Sequence, residues 1–337
     1  MKLNSYWILS LGILMGVLAC GTDEVTPEPP VDPVETTPPT TGTPPTDTTA
    51  TDSTTVTPPV NPPVTPPPPA SRPAFLPEHF DESPACLLSK VYLEANTAGN
   101  IVKTTNVYQY DAYNRFTEIK STTEGVAGAA ITSYVYKDAE KKIEVTYTGF
   151  QASDNYAAVA LLNDDYTIKE IAKNGSGETS KTTFTYNGNG EVISQVFDSN
   201  LKSYEIAYTY GAKGIIKSER KNYVFKAAPA PEKEEVVLEW TYGDVSSEGY
   251  NSLVLSDPNF PTGYLGKLTN NLPVQSKVYT AARISTPIAY EYSSNSVTNY
   301  TYTNNSANKV VRIDTDSNAN SSGFVINVKT KIELEYK

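Results

Sequence analysis

From Leu87 to its end this chain keeps to one pattern, runs of about eight to ten residues in which apolar and polar side chains alternate, separated by short clusters of Gly, Asn and Ser. Alternation of period two sends every second side chain to one face, as in a half-buried strand, whereas a helix needs apolar residues three and four apart. Ile143-Glu-Val-Thr-Tyr147 and Ile332-Glu-Leu-Glu-Tyr336 show it most cleanly. The clusters Asn96–Asn100, Asn174–Gly177, Asn187–Gly190, Gly211–Gly214 and Asn304–Asn308 supply residues that enter tight turns at little cost. Consecutive strands therefore pair as hairpins. The expected fold is all-β, an antiparallel meander forming a curved or barrel-like sheet over residues 80–337.

Some hairpins share a local motif, two aromatics at alternate positions followed by a turn and an apolar strand start. Tyr108-Gln-Tyr110-Asp111-Ala-Tyr-Asn114-Arg115-Phe116, Phe184-Thr-Tyr186-Asn-Gly-Asn-Gly190 and Tyr208-Thr-Tyr210-Gly-Ala-Lys-Gly214 keep one spacing, with Asn or Gly four residues after the second aromatic. That position calls for positive φ, which Gly takes freely and Asn tolerates. Tyr134-Val-Tyr136, Tyr290-Glu-Tyr292 and Tyr300-Thr-Tyr302 begin alike but lose the glycine, so the unit is a degenerate hairpin. The Tyr108–Phe116 stretch resembles the YD repeat of Rhs-type and teneurin-type surface proteins. Cys86 to Lys337 more closely resembles a family of Bacteroidetes lipoproteins of unknown function with a porin-like β fold. That likeness is carried by the Cys-Leu-Leu-Ser-Lys opening at 86–90, the Tyr-rich hairpins, Tyr264-Leu-Gly-Lys-Leu-Thr-Asn-Asn-Leu-Pro273 and the closing Ile332–Tyr336 run. It implies a fold and no activity.

Gly243 to Gln275 breaks the meander. Asp257-Pro258, Phe260-Pro261, Gly263 and Asn270-Asn-Leu-Pro273 suit irregular chain, with one helical turn near Ser252–Leu255, and the segment is expected to cap or plug an open end of the curved sheet.

The first residues carry an address. Lys2 precedes the apolar run Trp7–Ala19, which is shorter than the roughly 20 residues a membrane span needs. Ala19 directly before Cys20 fits a lipoprotein signal peptide, residues 1–19, with Cys20 acylated and the lipid bilayer as its partner. Gly21-Thr-Asp-Glu24 resembles the signal that exports Bacteroidetes lipoproteins to the cell surface. The expected location is the outer membrane, lipid-anchored and facing the exterior. Residues 20–73 form a Pro/Thr-rich stalk: 16 of the 25 prolines lie between Pro27 and Pro69, which leaves no core and favours extended chain. Asp47-Thr48-Thr49 and Asp52-Ser53-Thr54 resemble the Bacteroidetes O-glycosylation sequon, making Thr48 and Ser53 candidate glycan acceptors.

Composition narrows the chemistry. The net charge of −11 argues against nucleic acid, whose binders show a basic face. With Cys20 given to lipid, Cys86 is left without a disulfide partner and reads as a small buried hydrophobe. The sole histidine, His79, precedes the strands, which disfavours His-based nucleophile activation and His-ligated zinc. Asp314-Thr-Asp-Ser-Asn-Ala-Asn320 has the alternating oxygens of a calcium loop, but Ala319 and Val325 replace the glycine and the bidentate acid, so a polar hairpin loop is expected. No metal, cofactor or enzymatic activity is expected. A glycoside hydrolase is the weakest alternative, since it would need two facing carboxylates. The positive reading is binding of a glycan or protein, with Trp240, Tyr242, Tyr250 and Tyr264 as an exposed aromatic row. The alternative is a structural or interaction subunit of an outer-membrane assembly.

Overall fold

The computed structural model describes residues 76–77, 87–175, 177–226, 231–246, 262–266, 271–284, 290–321 and 324–337. Within them the alternating runs become sixteen strands. The first eight are β1 (Leu88–Thr97), β2 (Asn100–Tyr110), β3 (Phe116–Thr123), β4 (Ala130–Lys137), β5 (Lys142–Thr148), β6 (Tyr156–Leu162), β7 (Ile168–Gly175) and β8 (Glu178–Tyr186). The rest are β9 (Val192–Ser199), β10 (Lys202–Gly211), β11 (Gly214–Phe225), β12 (Pro231–Ser246), β13 (Asn271–Ile284), β14 (Tyr290–Asn304), β15 (Val310–Ser321) and β16 (Phe324–Tyr336). Each pairs antiparallel with its neighbours in sequence. β16 returns to β1, placing Leu334 opposite Val91 and Ile332 opposite Leu93, so the barrel-like sheet is a closed barrel.

Closure gives every strand a lumen face and an outer face. The buried apolar residues form one connected cluster to which all sixteen strands contribute, β10 and β14 through the half-buried Tyr208, Tyr210, Tyr300 and Tyr302. A cluster shared by strands all around a ring lies inside it. It fills one end, where β1 begins, β16 finishes and the turns after the other even strands lie. Along β16 the lumen-facing residues grade from Ile326 at 47% exposed to Thr330 at 6% and Leu334 at 5%, so the opposite end, the mouth, admits water.

The Tyr-x-Tyr repeat makes the closed end. Every even strand arrives there with two lumen-facing residues. They are Tyr108/Tyr110, Tyr134/Tyr136, Ala160/Leu162, Phe184/Tyr186, Tyr208/Tyr210, Trp240/Tyr242, Tyr300/Tyr302 and Leu334/Tyr336 on successive strands. Within each hairpin but β5–β6, where Lys142 still pairs with Leu161, the ladder stops short of this end; Glu170 opposite Thr183 is the last pair between β7 and β8. Beyond it the Tyr186 hydroxyl donates to the Ile168 carbonyl at 2.7 Å. Tyr110 does the same to Leu88 at 2.9 Å, Tyr210 to Val192 at 2.8 Å and Tyr242 to Ile215 at 2.7 Å. Tyr302 and Tyr336 cap Pro273 and Val310, both at 2.6 Å. These caps replace ladder bonds lost where strands part. Tyr290-Glu-Tyr292 is not a copy of the unit: it begins β14, at the mouth.

The ring of caps is broken at β4, where the Tyr136 hydroxyl has no partner, and at β6, which carries Leu162. A short helical turn, Thr262–Leu265, packs against the first break. Tyr264 and Leu265 are fully enclosed, and Tyr264 stacks on Tyr136 at 6.1 Å between centroids. The expected irregular segment is shorter than Gly243–Gln275: Gly243–Ser246 end β12 and Asn271–Gln275 begin β13, while Thr262–Leu265 fill the closed end; Ser252–Leu255 lie outside the described residues. The hairpin turns follow their side chains. Asp111–Arg115, Asn163–Thr167, Asn187–Glu191 and Asn305–Lys309 are each closed by a bond from the first N–H to the fifth carbonyl. Their fourth residues, Asn114, Tyr166, Gly190 and Asn308, take φ of 62°, 63°, 76° and 57°.

Another expectation fails. Asp314–Asn320 is not a loop but the middle of β15. Asp314 and Asp316 stand opposite Lys331 and Lys329 on the outer wall, while Thr315 faces Thr330 across the lumen side. Because its lumen side carries Thr315 and Ser317 rather than hydrocarbon, the strand lacks the apolar half that marks a period of two.

Candidate functional site

At the closed end, Asp111 uses one carboxylate oxygen to accept from the N–H groups of Tyr113 and Arg115, which sets the β2–β3 turn. Its other oxygen accepts from Arg115 Nε at 2.8 Å, and Asp138 Oδ1 accepts from Nη1 at 2.7 Å. The guanidinium, its side chain 6% exposed, lies 4.0 Å from the centre of the Tyr136 ring. Burial pulls the titration of Arg115 down, but the bonds to Asp138 and Asp111 outweigh it and hold the group above its ordinary range. Burial likewise drives Tyr136 and Tyr264 well above the usual phenol value. The arrangement ties two turns to the plug. It is a clasp, with no reacting group exposed.

Most of the proposed aromatic row belongs to this same end. Trp240 is 8% exposed, Tyr264 is fully buried, and the Tyr242 hydroxyl is committed to Ile215. An exposed row at these residues is therefore corrected. Alternation sends Trp240 and Tyr242 inward just where the core lies, and the segment carrying Tyr264 is a plug rather than a surface cap. Tyr250, Cys20, Thr48, Ser53, Cys86 and His79, with the signal peptide and the stalk, lie outside the described residues.

Toward the mouth the lumen wall changes character. On β5 and β6, Tyr147 and Tyr156 face each other across the ladder and stack at 4.8 Å and 19°. Lys173 of β7 shares the lumen face with Ile171, and its Nζ lies 3.7 Å from the Tyr156 ring centre. On β9 and β10, Phe197 and Tyr204 stack at 4.8 Å and 15°; Tyr223 of β11 extends the stack at 6.4 Å, and Arg220 sits 4.4 Å over Tyr204. These rings are half-buried, so each offers part of its surface to the lumen. The remaining wall is rich in hydroxyls: Thr104 and Thr123 pair at 3.2 Å, Thr298 and Ser317 at 2.7 Å, Ser276 and Tyr300 at 2.9 Å. Oδ1 of Asn106 and Oγ1 of Thr330 are enclosed on this wall without a hydrogen-bond partner. Sequence reasoning missed the arc because strand tyrosines look alike. The available signal was the cations, Lys173 and Arg220, at inward positions of alternating runs.

Most strands carry charge on the outer wall; β6, which turns Ala157, Val159 and Leu161 outward, does not. Lys90 lies 3.9 Å from Glu335, Lys142 2.6 Å from Glu144, Lys181 2.6 Å from Glu170 and Lys217 2.7 Å from Glu219. Outward apolar residues are hemmed in by these charges: Val135 faces Glu144, Leu161 lies between Lys142 and Glu170, and Val196 between Thr183 and Glu205. A depression of about 700 Å³ crosses β16, β1, β2 and β3 around Tyr92. Its charges are already mutually paired, Lys103 with Glu94 at 4.0 Å and Glu124 at 3.8 Å, Lys331 with Glu333 at 2.6 Å. Among the described residues, the carboxylates whose titration shifts, Glu144, Asp164 and Glu219, are each pulled down by a lysine on the outer surface, opposite to what a general acid needs.

Among solved structures, a crystal structure of a porin-like protein from Bacteroides uniformis matches with a TM-score of 0.50, covering 74% of this chain and 98% of that one at 16% identity. The fold is porin-like. At this identity the likeness extends to architecture alone. Neither a protein-family model nor a curated protein matches the sequence.

Proposed function

We propose that this chain is a surface-exposed outer-membrane lipoprotein, anchored through Cys20, whose barrel is a non-catalytic binding module for glycan or protein rather than a pore. The observation that carries the reading is the half-exposed aromatic arc from Tyr147 to Tyr223 on the lumen wall near the mouth. Rings set among hydroxyls can stack on the apolar faces of sugars while neighbouring side chains meet their hydroxyl groups. Two features weigh against conduction. Pore-forming barrels carry an uncharged apolar band outside and water within, whereas here most strands carry charge on the outer wall and an apolar cluster fills one end. A glycan array probed with the chain tests this. Saturable binding lost in Tyr204→Ala and Tyr156→Ala establishes the site; the absence of any glycan signal shifts the reading to a protein partner.

The assembly reading has support of its own. The barrel has no open edge, but its mouth carries exposed apolar residues on successive hairpins, Ile101 at 54%, Val126 at 46%, Phe150 at 37% and Val325 at 66% exposed. Such a rim suits a protein partner. Loss of a co-purifying outer-membrane protein in a Phe150→Ser, Val325→Ser variant would favour it.

A further inference from the structure

We propose that the depression on the outer wall around Tyr92 is a binding site for a neutral sugar chain, separate from the aromatic arc of the lumen. The outside of a closed barrel is convex, yet here a hollow of about 700 Å³ crosses the seam where β16 meets β1 and continues over β2 and β3. The register sets out its floor and its wall. Glu333, Tyr92, Thr105 and Thr122 stand opposite one another on these four strands, a row about 14 Å long over three strand steps. The next row toward the mouth is Lys331, Glu94 and Lys103, with the Glu124 N–H bonded to the Lys103 carbonyl. Other tyrosines, Tyr110, Tyr136 and Tyr336 among them, have a cation over the ring; Tyr92, half-buried on the floor, has neither a ring nor a cation against it. An unpartnered aromatic face in a hollow of ligand size suits the apolar face of a sugar. The surrounding charges select the ligand. Glu94 and Glu124 approach Lys103 only to 4.0 and 3.8 Å, and Glu335 approaches Lys90 to 3.9 Å, all beyond hydrogen-bond reach. Their carboxylates keep oxygens for hydroxyl donors, and four glutamates against two lysines in the lining disfavour an acidic sugar. Because each of the four also has a lysine within 4.0 Å, no bare negative charge calls for a cation, and a neutral chain fits best.

The test is calorimetry on the full chain, kept free of acyl groups by Cys20→Ser, titrated with maltotetraose, cellotetraose, mannotetraose and the acidic tetragalacturonate. At least one neutral tetramer is expected to bind, tenfold or more tightly than tetragalacturonate. Tyr92→Ala should weaken it at least tenfold and Tyr92→Phe, which keeps the ring, less than twofold. Glu94→Ala, a change at a charged surface side chain, should weaken it at least threefold, and Tyr279→Ala, at an exposed outward ring of β13, should leave it unchanged. Unaltered melting of the variants shows that the site, not the fold, was lost. Binding that survives both Tyr92→Ala and Glu94→Ala but is lost in Tyr204→Ala overturns the exterior site and leaves the lumen reading standing. Tighter binding of tetragalacturonate overturns the neutral ligand, and binding of none of the four overturns the sugar site.

Discussion

A tyrosine hydroxyl on a strand is ordinarily a polar end reaching water, but in this barrel six of them each complete a backbone that the sheet has left open. Tyr186→Phe keeps the ring and removes only the donor, so it is expected to lower stability by about 1 to 2 kcal/mol. Tyr136→Phe removes a hydroxyl that has no partner and should be neutral or slightly stabilising; urea melts of the pair distinguish a cap from a spectator. The same residues set an alkaline limit. Burial raises Tyr336 to about 12 and pushes Tyr110, Tyr186, Tyr210 and Tyr242 further. The folded form therefore holds protons that the unfolded chain releases near pH 10. Their stabilisation is complete below about pH 10 and falls as the pH climbs through the folded values. Far-UV circular dichroism should show unfolding above that pH, with phenolate absorbance at ~295 nm rising in the same cooperative step; early, gradual phenolate formation in a still-folded chain would contradict the caps. Arg115 is the other residue whose loss is costly. Arg115→Lys cannot span Asp111 and Asp138 while covering Tyr136, and should cost about 3 kcal/mol.

Among the elements, the plug is held by a backbone approach as well as by Tyr264. Gly266 sits at φ +83°, and a Cβ there would stand 2.3 Å from the Gly190 carbonyl oxygen. Gly266→Ala should therefore loosen the Tyr264 turn while the ladder survives, seen as faster amide exchange around 262–266 with little change in the strands. Much of this element plan was legible in the sequence: Ile143–Tyr147 and the glycine turns specify hairpins, and Asn114 and Gly190 specify positive φ where the structure has it. The eightfold count was not legible. In two copies the first ring or both are replaced, as Leu334/Tyr336 and Ala160/Leu162, because any side chain filling the lumen serves there. The location of the site was hidden for a related reason: Trp240 and Tyr156 are both inward aromatics of strands, and only the register of a closed barrel separates the buried end from the mouth.

The barrel pairs a porin-like architecture with an outer wall that carries charge on most of its strands. The Cys20→Ser chain is expected to stay monodisperse without detergent and to leave planar bilayers electrically silent; stepwise conductance, or a need for detergent, would reverse that view. The pairing of the first strand with the last has a consequence in time. Each hairpin is local and can form early, but Ser89 meets the Glu335 carbonyl across 246 residues, so the ring cannot shut until the end of the chain has arrived. Until then β1 waits as an open edge, able to accept a strand from a neighbouring chain. The closing step should thus be the slow and hazardous one in refolding. A circular permutant that joins Lys337 to Leu87 by a short linker and opens the Asn187–Glu191 turn would make β16 and β1 a local hairpin and pass the waiting to β8 and β9.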